Sequence, residues 1–332
     1  MRDMSRLSRL SFALAVLSTI AVHARPARAA EAAARPRVVG YVPTWIDLKA
    51  FVPTIDFARL THVNVAFVNP TDDAGALPFP EPVRGLIDAA RKADVKVLIS
   101  IGGGAASSDK RLLDRYAKLL APDRRAAFVE KLVAYVVDHR FDGLDLDLEG
   151  PAITTAYGPF VAALLDGLRA KGKLLTAALS QGYGGASVPD AALARFDFVS
   201  VMAYDARGPW IPKAAGQHAP IEAARAQVAY WLGRGLARDK CVLGVPFYGY
   251  GFGPAFRQRA YGYAEIVAAH AGAEQKDQAG ETIWYNGIPT IRAKARYAVE
   301  EKLGGVMIWS LDLDAAGEKS LLRAIGEEVG RR

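Results

Sequence analysis

A closed barrel of eight parallel strands, each followed by a helix, is the fold this sequence of 332 residues predicts. Three observations predict it. Eight short apolar runs recur along the chain. Segments with apolar residues at helical spacing separate them. The length beyond the first 30 residues, about 300, suits a single (β/α)8 TIM barrel with modest insertions. Strands buried on both faces read as nearly continuous apolar runs, as most of these do. A doubly wound open sheet is the alternative, and no dinucleotide fingerprint supports it.

The elements follow in order. Arg2, Arg6 and Arg9 precede an apolar run from Leu10 to Val22, and Ala27-Arg28-Ala29 supplies a small-x-small pattern. This is the layout of a secretory signal peptide over residues 1–30, with cleavage near Ala29 or Ala30. It predicts a secreted or periplasmic protein, and the apolar run is too short to span a bilayer comfortably. Residues 31–332 then form one domain. Its strand-like runs are Arg37–Tyr41, Thr61–Phe67, Val95–Ile101, Phe141–Glu149, Lys173–Leu179, Phe196–Met202, Cys241–Pro246 and Gly304–Trp309. Helices are expected over Pro82–Ala93, Pro122–His139, Tyr157–Lys171, Ile221–Arg234, Ile288–Leu303 and Lys319–Val329.

Composition narrows the function. Five Arg and one Asp in residues 1–30 supply +4 of the formal charge of +7, leaving about +3 for the remainder. The basic residues there are scattered among acids, so nucleic acid is not an expected partner, nor is a membrane once the leader is gone. The single cysteine, Cys241, lies in an apolar run and reads as a buried, inert thiol. The five histidines show no metal-ligand spacing, so no metal and no cofactor are expected. A monomer is expected.

One segment carries chemistry. In Phe141-Asp-Gly-Leu-Asp-Leu-Asp-Leu-Glu149, Leu144, Leu146 and Leu148 alternate with Asp145, Asp147 and Glu149. Strand side chains alternate faces, so three acids point one way and three leucines the other. The leucines suit the helix side of a barrel wall. The acids are left to the interior and the C-terminal mouth, where barrel active sites form. Carboxylates roughly 6.6–6.8 Å apart by Cα rise repel one another, which raises at least one pKa and suits a general acid. A hard-cation site remains an alternative on this evidence.

Asp142-Gly-Leu-Asp145-Leu-Asp147-Leu-Glu149 resembles the D-G-x-D-x-D-x-E signature of family 18 glycoside hydrolases. The rest of the chain is similar in order. Gly40–Trp45 resembles the family's opening, Ser100–Gly103 its S-x-G-G, Met202–Asp205 its M-x-Y-D, Leu243–Gly249 its seventh-strand motif and Gly304–Trp309 its last strand. The resemblance implies a chitinase-like enzyme that cuts β-1,4 bonds beside N-acetylglucosamine. It implies Glu149 as the acid, Asp147 as the group orienting the substrate acetamido, Asp145 as the charge tuning Asp147, and Tyr204 as a hydrogen-bond donor to the acetamido carbonyl. Tyr41, Phe67, Gly102, Gly103, Met202, Asp205 and Trp309 are implied at the substrate, with Trp309 as the floor under the sugar. Asp142 is implied to be structural.

Two departures stand out. Many family members have Arg where this chain has Tyr250, and many insert a small α+β domain between the seventh and eighth barrel strands. Here about 55 residues separate Tyr248 from Gly304, and much of that reads as helix, so little or no insertion is expected. An open, shallow cleft follows. An endo-β-N-acetylglucosaminidase on N-glycans, a peptidoglycan hydrolase and an inactive sugar-binding lectin are alternatives; the intact Glu149 argues against the last.

Overall fold

The computed structural model describes residues 36–330. The expected signal peptide and its cleavage point lie outside the described residues. Twelve strands occur among the described residues. They are β1 (Arg37–Pro43), β2 (His62–Ala66), β3 (Lys96–Gly102), β4 (Gly143–Asp147), β5 (Leu174–Leu179), β6 (Phe198–Val201), β7 (Cys241–Pro246), β8 (Tyr248–Gly251), β9 (Tyr261–Gly262), β10 (Gln278–Ala279), β11 (Ile283–Trp284) and β12 (Gly305–Trp309).

β1 to β7 and β12 close into one barrel in the order β1-β12-β7-β6-β5-β4-β3-β2, parallel throughout. The predicted (β/α)8 barrel is the fold. All eight expected strands are present, and the six expected helices are found within three residues at each end. The helix Lys110–Leu119 was not among the expectations. Asp109 caps it by accepting from the backbone N–H groups of Arg111 and Leu112.

The barrel wall separates two apolar layers. Leu144, Leu146 and Leu148 are fully buried between wall and helices, in the core that also holds Phe160, Leu164 and Leu168 of the helix Tyr157–Arg169. Inside the barrel a smaller set, Val39, Phe198, Val242 and Met307, fills the axis beneath the mouth. The acids of β4 therefore sit on the inner face, above that plug.

Between β7 and β12 the chain builds a reduced insertion. β8 to β11 form a four-stranded antiparallel sheet in the order β10-β11-β8-β9, with one helix, Tyr263–Ala269. Its strands are two to four residues long, too short for an alternating pattern to show in sequence. The helix Ile288–Glu300 then returns the chain to β12, as expected.

Candidate active site

The site is assembled on the C-terminal ends of the barrel strands. In the register of β3, β4 and β5, Ser100, Asp145 and Thr176 stand side by side. All three are fully buried and point to the axis. Asp145 accepts three hydroxyl hydrogen bonds: Tyr41 O–H donates to Oδ2 at 2.6 Å, Ser100 O–H to the same oxygen at 2.7 Å, and Thr176 O–H to Oδ1 at 2.6 Å. Burial raises the Asp145 pKa, and these hydroxyls pull it back down. Three donors on a carboxylate favour its ionised form and offset part of the rise that burial causes.

Asp147, two residues on, has no such cage. It is 4% exposed, and its Oδ1 makes no hydrogen bond. Burial raises its pKa well above the usual carboxylate range, with Glu149 and then Asp145 adding repulsion. A buried, unpaired carboxyl oxygen is costly, and such a group is either neutral or awaiting a partner.

Glu149 ends the series just beyond β4, half-buried at the wall of a cleft. Burial, and then the charge of Asp205, push its pKa up to about 7. The cleft encloses about 630 Å³ and is lined among others by Tyr183, Met202, Tyr204, Asp205, Trp210 and His218. Volumes of this order are typical of small-molecule sites.

Tyr204, on the chain leaving β6, is kept a phenol by burial and by the nearby charge of Asp147, so its hydroxyl remains a donor. Opposite it, Tyr41 and Phe67 pack on Trp309, with ring centroids at 5.3 and 5.6 Å. The Phe67 and Trp309 rings are stacked, and Trp309 is half-buried with part of its indole open. Asp205 accepts hydrogen bonds from the Tyr248 and Tyr250 hydroxyls of β8.

The glycines Gly102 and Gly103 contribute through backbone. Gly102 has φ +107, and a Cβ there would lie 2.1 Å from the Asp147 carbonyl oxygen. Gly103 has φ +69, its N–H donates to that same oxygen at 2.7 Å, and a Cβ would strike the Phe67 ring. These residues lock β3 against β4 and set the height of the acids. Asp142 does the same below: its Oδ2 accepts from the Val97 N–H at 2.8 Å.

The structure thus brings Asp145, Asp147, Glu149, Tyr204, Tyr41, Phe67, Met202, Asp205 and Trp309 together around one mouth. Sequence reasoning missed His218, Tyr183 and Gln227 of the cleft wall. No motif surrounds them. Only their place on the loops after β5 and β6, and on the next helix, could have drawn notice.

A parallel (β/α)8 barrel with a row of carboxylates at its mouth suits acid–base chemistry on a substrate held there. Residues 37–314 match the model of the glycosyl hydrolases family 18, and the chain belongs to that family. A family 18 chitinase from the chitin utilization locus of Flavobacterium johnsoniae is 37% identical with a TM-score of 0.82, covering 89% of this chain and 94% of that one. An endochitinase of Brugia malayi is 26% identical, over 87% of this chain and 72% of its own length. A probable chitinase 10 of Drosophila melanogaster is 29% identical over 69% of this chain, which spans only 12% of that relative.

Proposed function

We propose that the protein hydrolyses β-1,4 bonds next to N-acetylglucosamine in chitin-type chains, with the substrate's own acetamido group as nucleophile. The observation that carries this reading is the contrast along β4: Asp145 is caged by hydroxyls, Asp147 is buried with an oxygen unpaired, and Glu149 is held near neutral pKa at the cleft. The glycosidases related by name are chitinases.

The chemistry runs from that contrast. Glu149, protonated below about pH 7, gives its proton to the glycosidic oxygen as the bond to the anomeric carbon breaks. The acetamido carbonyl oxygen forms the new bond to that carbon, leaving a positively charged oxazolinium. Asp147 takes the acetamido N–H on its unpaired oxygen and stabilises the developing charge. Tyr204 donates to the acetamido carbonyl, and Trp309 supplies the floor under the ring. Water then opens the oxazolinium, returns its proton to Glu149, and leaves the product in the β configuration. Two-carboxylate retaining enzymes hold their carboxyls about 5–5.5 Å apart across the sugar; family 18 is a recognised substrate-assisted exception, so this feature comes with the family. Asp147 and Glu149, on one face of one strand, approach the sugar from one side, which fits that route.

The test is a matched pair of chito-oligomers, with an acetamido or a free amine in the subsite before the cut, and the product anomer followed by NMR. Cleavage of the acetamido substrate alone, with initial β product, is expected. Efficient cleavage of the amine, or initial α product, defeats the mechanism. Running a high-mannose glycopeptide and peptidoglycan beside them separates the alternative substrates.

A further inference from the structure

A glycosidic oxygen joins two sugars, and the mouth offers each a different place. β12, which carries Trp309, lies across the barrel from β4, four strands away in either direction. The cleft of about 630 Å³ that Glu149 lines is bounded instead by the loops after β3, β5 and β6. With the sugar before the cut on Trp309, the sugar after it enters this cleft. Tyr183, on the loop after β5, is the aromatic side chain that this loop puts on the cleft wall.

Tyr183 is held against the residue that follows Glu149. The Gly150 N–H donates to the Tyr183 carbonyl at 3.2 Å. A Cβ on Gly150, whose φ is +51, would lie 2.3 Å from Cζ and 2.5 Å from Cε1 of the Tyr183 ring. Only a residue without a side chain lets the ring lie so close to the backbone beside the acid. The loop is also fixed from behind. The Gln181 N–H donates to Gln227 Oε1 at 3.2 Å. Arg234, at the end of the helix Ile221–Gly233, donates to the Gly185 carbonyl at 2.6 Å and to Asp190 Oδ1 at 2.7 Å. Thus fastened, the Tyr183 side is still 46% exposed. On the β3 flank of the cleft, Gly104 has nothing within 4 Å of a would-be Cβ, so the cleft is open at that position.

We propose that Tyr183 is a specificity-determining residue: its ring is the wall against which the first sugar of the leaving group packs. The inference rests on the reading of Glu149 as the proton donor, with the sugar before the cut on Trp309. A pyranose ring has apolar faces where its C–H bonds gather, and aromatic side chains supply matching surface in ligand clefts. Two features suit Tyr183 to this contact. Its loop is already tied to Gly150, Gln227 and Arg234, so little freedom is lost when a sugar settles on the ring. The ring is also anchored one residue from Glu149, so a sugar packed on it keeps its glycosidic oxygen toward the acid. Such a wall acts on substrates whose leaving group is a sugar. It has nothing to hold when the leaving group is a single atom.

The experiment compares kcat/KM on chitotetraose with kcat/KM on β-chitobiosyl fluoride, for the full chain and for Tyr183→Ala and Tyr183→Phe. In Tyr183→Ala the ratio of the two constants, tetraose over fluoride, falls about tenfold, the scale of one lost aromatic contact. Tyr183→Phe, which keeps the ring, keeps most of the ratio. A ring that serves only to pack on Gly150 would lower both constants together, or the melting temperature alone, and leave the ratio in place, which overturns the proposal. So does a Tyr183→Phe variant that falls as far as Tyr183→Ala, since the ring is then not the contact. Should the wild-type protein cleave neither substrate, the functional reading fails. Calorimetric titration of chitotetraose into Glu149→Gln and Glu149→Gln/Tyr183→Ala then decides the inference: weaker binding without the ring supports it, and equal or absent binding overturns it.

Discussion

Glu149 and Asp147 meet opposite demands from one strand, and burial sets both. The Glu149 pKa lies at about 7 against an ordinary 4.5, so the folded state binds its proton more tightly than the unfolded chain does. Stability from this proton is fully present below about pH 4.5 and is lost as pH rises to about 7. Above that, a buried charge remains. Glu149→Gln removes the titration with little change in shape. The variant is expected to melt above wild type at pH 8 by the equivalent of about 1–3 kcal/mol, one pKa unit being about 1.4. The gap closes at pH 4.5, and thermal melts across this range check it. Turnover in the same variant falls by about 10²–10⁴-fold, the usual contribution of a placed acid. Wild-type kcat/KM declines above about pH 7 as the acid loses its proton. Equal melting curves at pH 8, or near wild-type turnover, would count against the assignment. These roles were legible in part. The alternation of leucine and acid told which face each side chain takes, because strand period is two. The hydroxyl cage of Tyr41, Ser100 and Thr176 was not, since it joins residues up to 104 apart in the chain through barrel closure.

Strand β3 sets the height at which β4 presents its acids, and it does so with two glycines. At Gly102 a methyl group would lie 2.1 Å from the Asp147 carbonyl oxygen, on a backbone with φ +107 that other residues rarely adopt. Gly104, two residues on, has nothing within 4 Å of a would-be Cβ. The pair makes a controlled comparison. Gly102→Ala is expected to cost about 2–4 kcal/mol, from backbone strain and from overpacking against a main chain that cannot swing aside. It also displaces Asp147 and lowers turnover. Gly104→Ala leaves stability within about 0.5 kcal/mol. Chemical denaturation of the two variants measures the difference, and equal midpoints would contradict the tight β3–β4 contact. Sequence reading placed β3 and β4 within a few residues because a continuous apolar run marks a strand buried on both faces and strict alternation marks one with two unlike faces. It did not find the sheet of β8 to β11, because strands of two to four residues offer no period to count. It also passed over Lys110–Leu119, a highly charged surface helix that buries only Leu112, Tyr116 and Leu119.

At the scale of the molecule, the insertion between β7 and β12 reaches the edge of the cleft through Tyr248 and Tyr250, which donate to Asp205 there. Residues 248–284 supply four short strands and one helix, a rim with more structure than the expected near-absence. Tyr250 of that rim meets Trp210 edge-on at 5.4 Å, and Trp210 is 55% exposed. Trp45 and Tyr183, on loops after β1 and β5, are 65% and 46% exposed. Large exposed aromatics around a mouth present flat apolar faces on which sugar rings stack. Spread over separate loops, such faces would meet a bound chain at points without enclosing it. Processive attack requires a polymer to stay threaded between cuts, and that demands walls high enough to slow its escape. An open groove releases the chain after each cut, so substrates that arrive loose are favoured over chains that must be pulled from a crystal. The expected result is faster hydrolysis of soluble chito-oligomers than of crystalline chitin, with intermediate-length products appearing early. Product profiles over the first few per cent of conversion provide the measurement. A strong early bias to the disaccharide on crystalline chitin, with few soluble intermediates, would show that the groove holds the polymer after all.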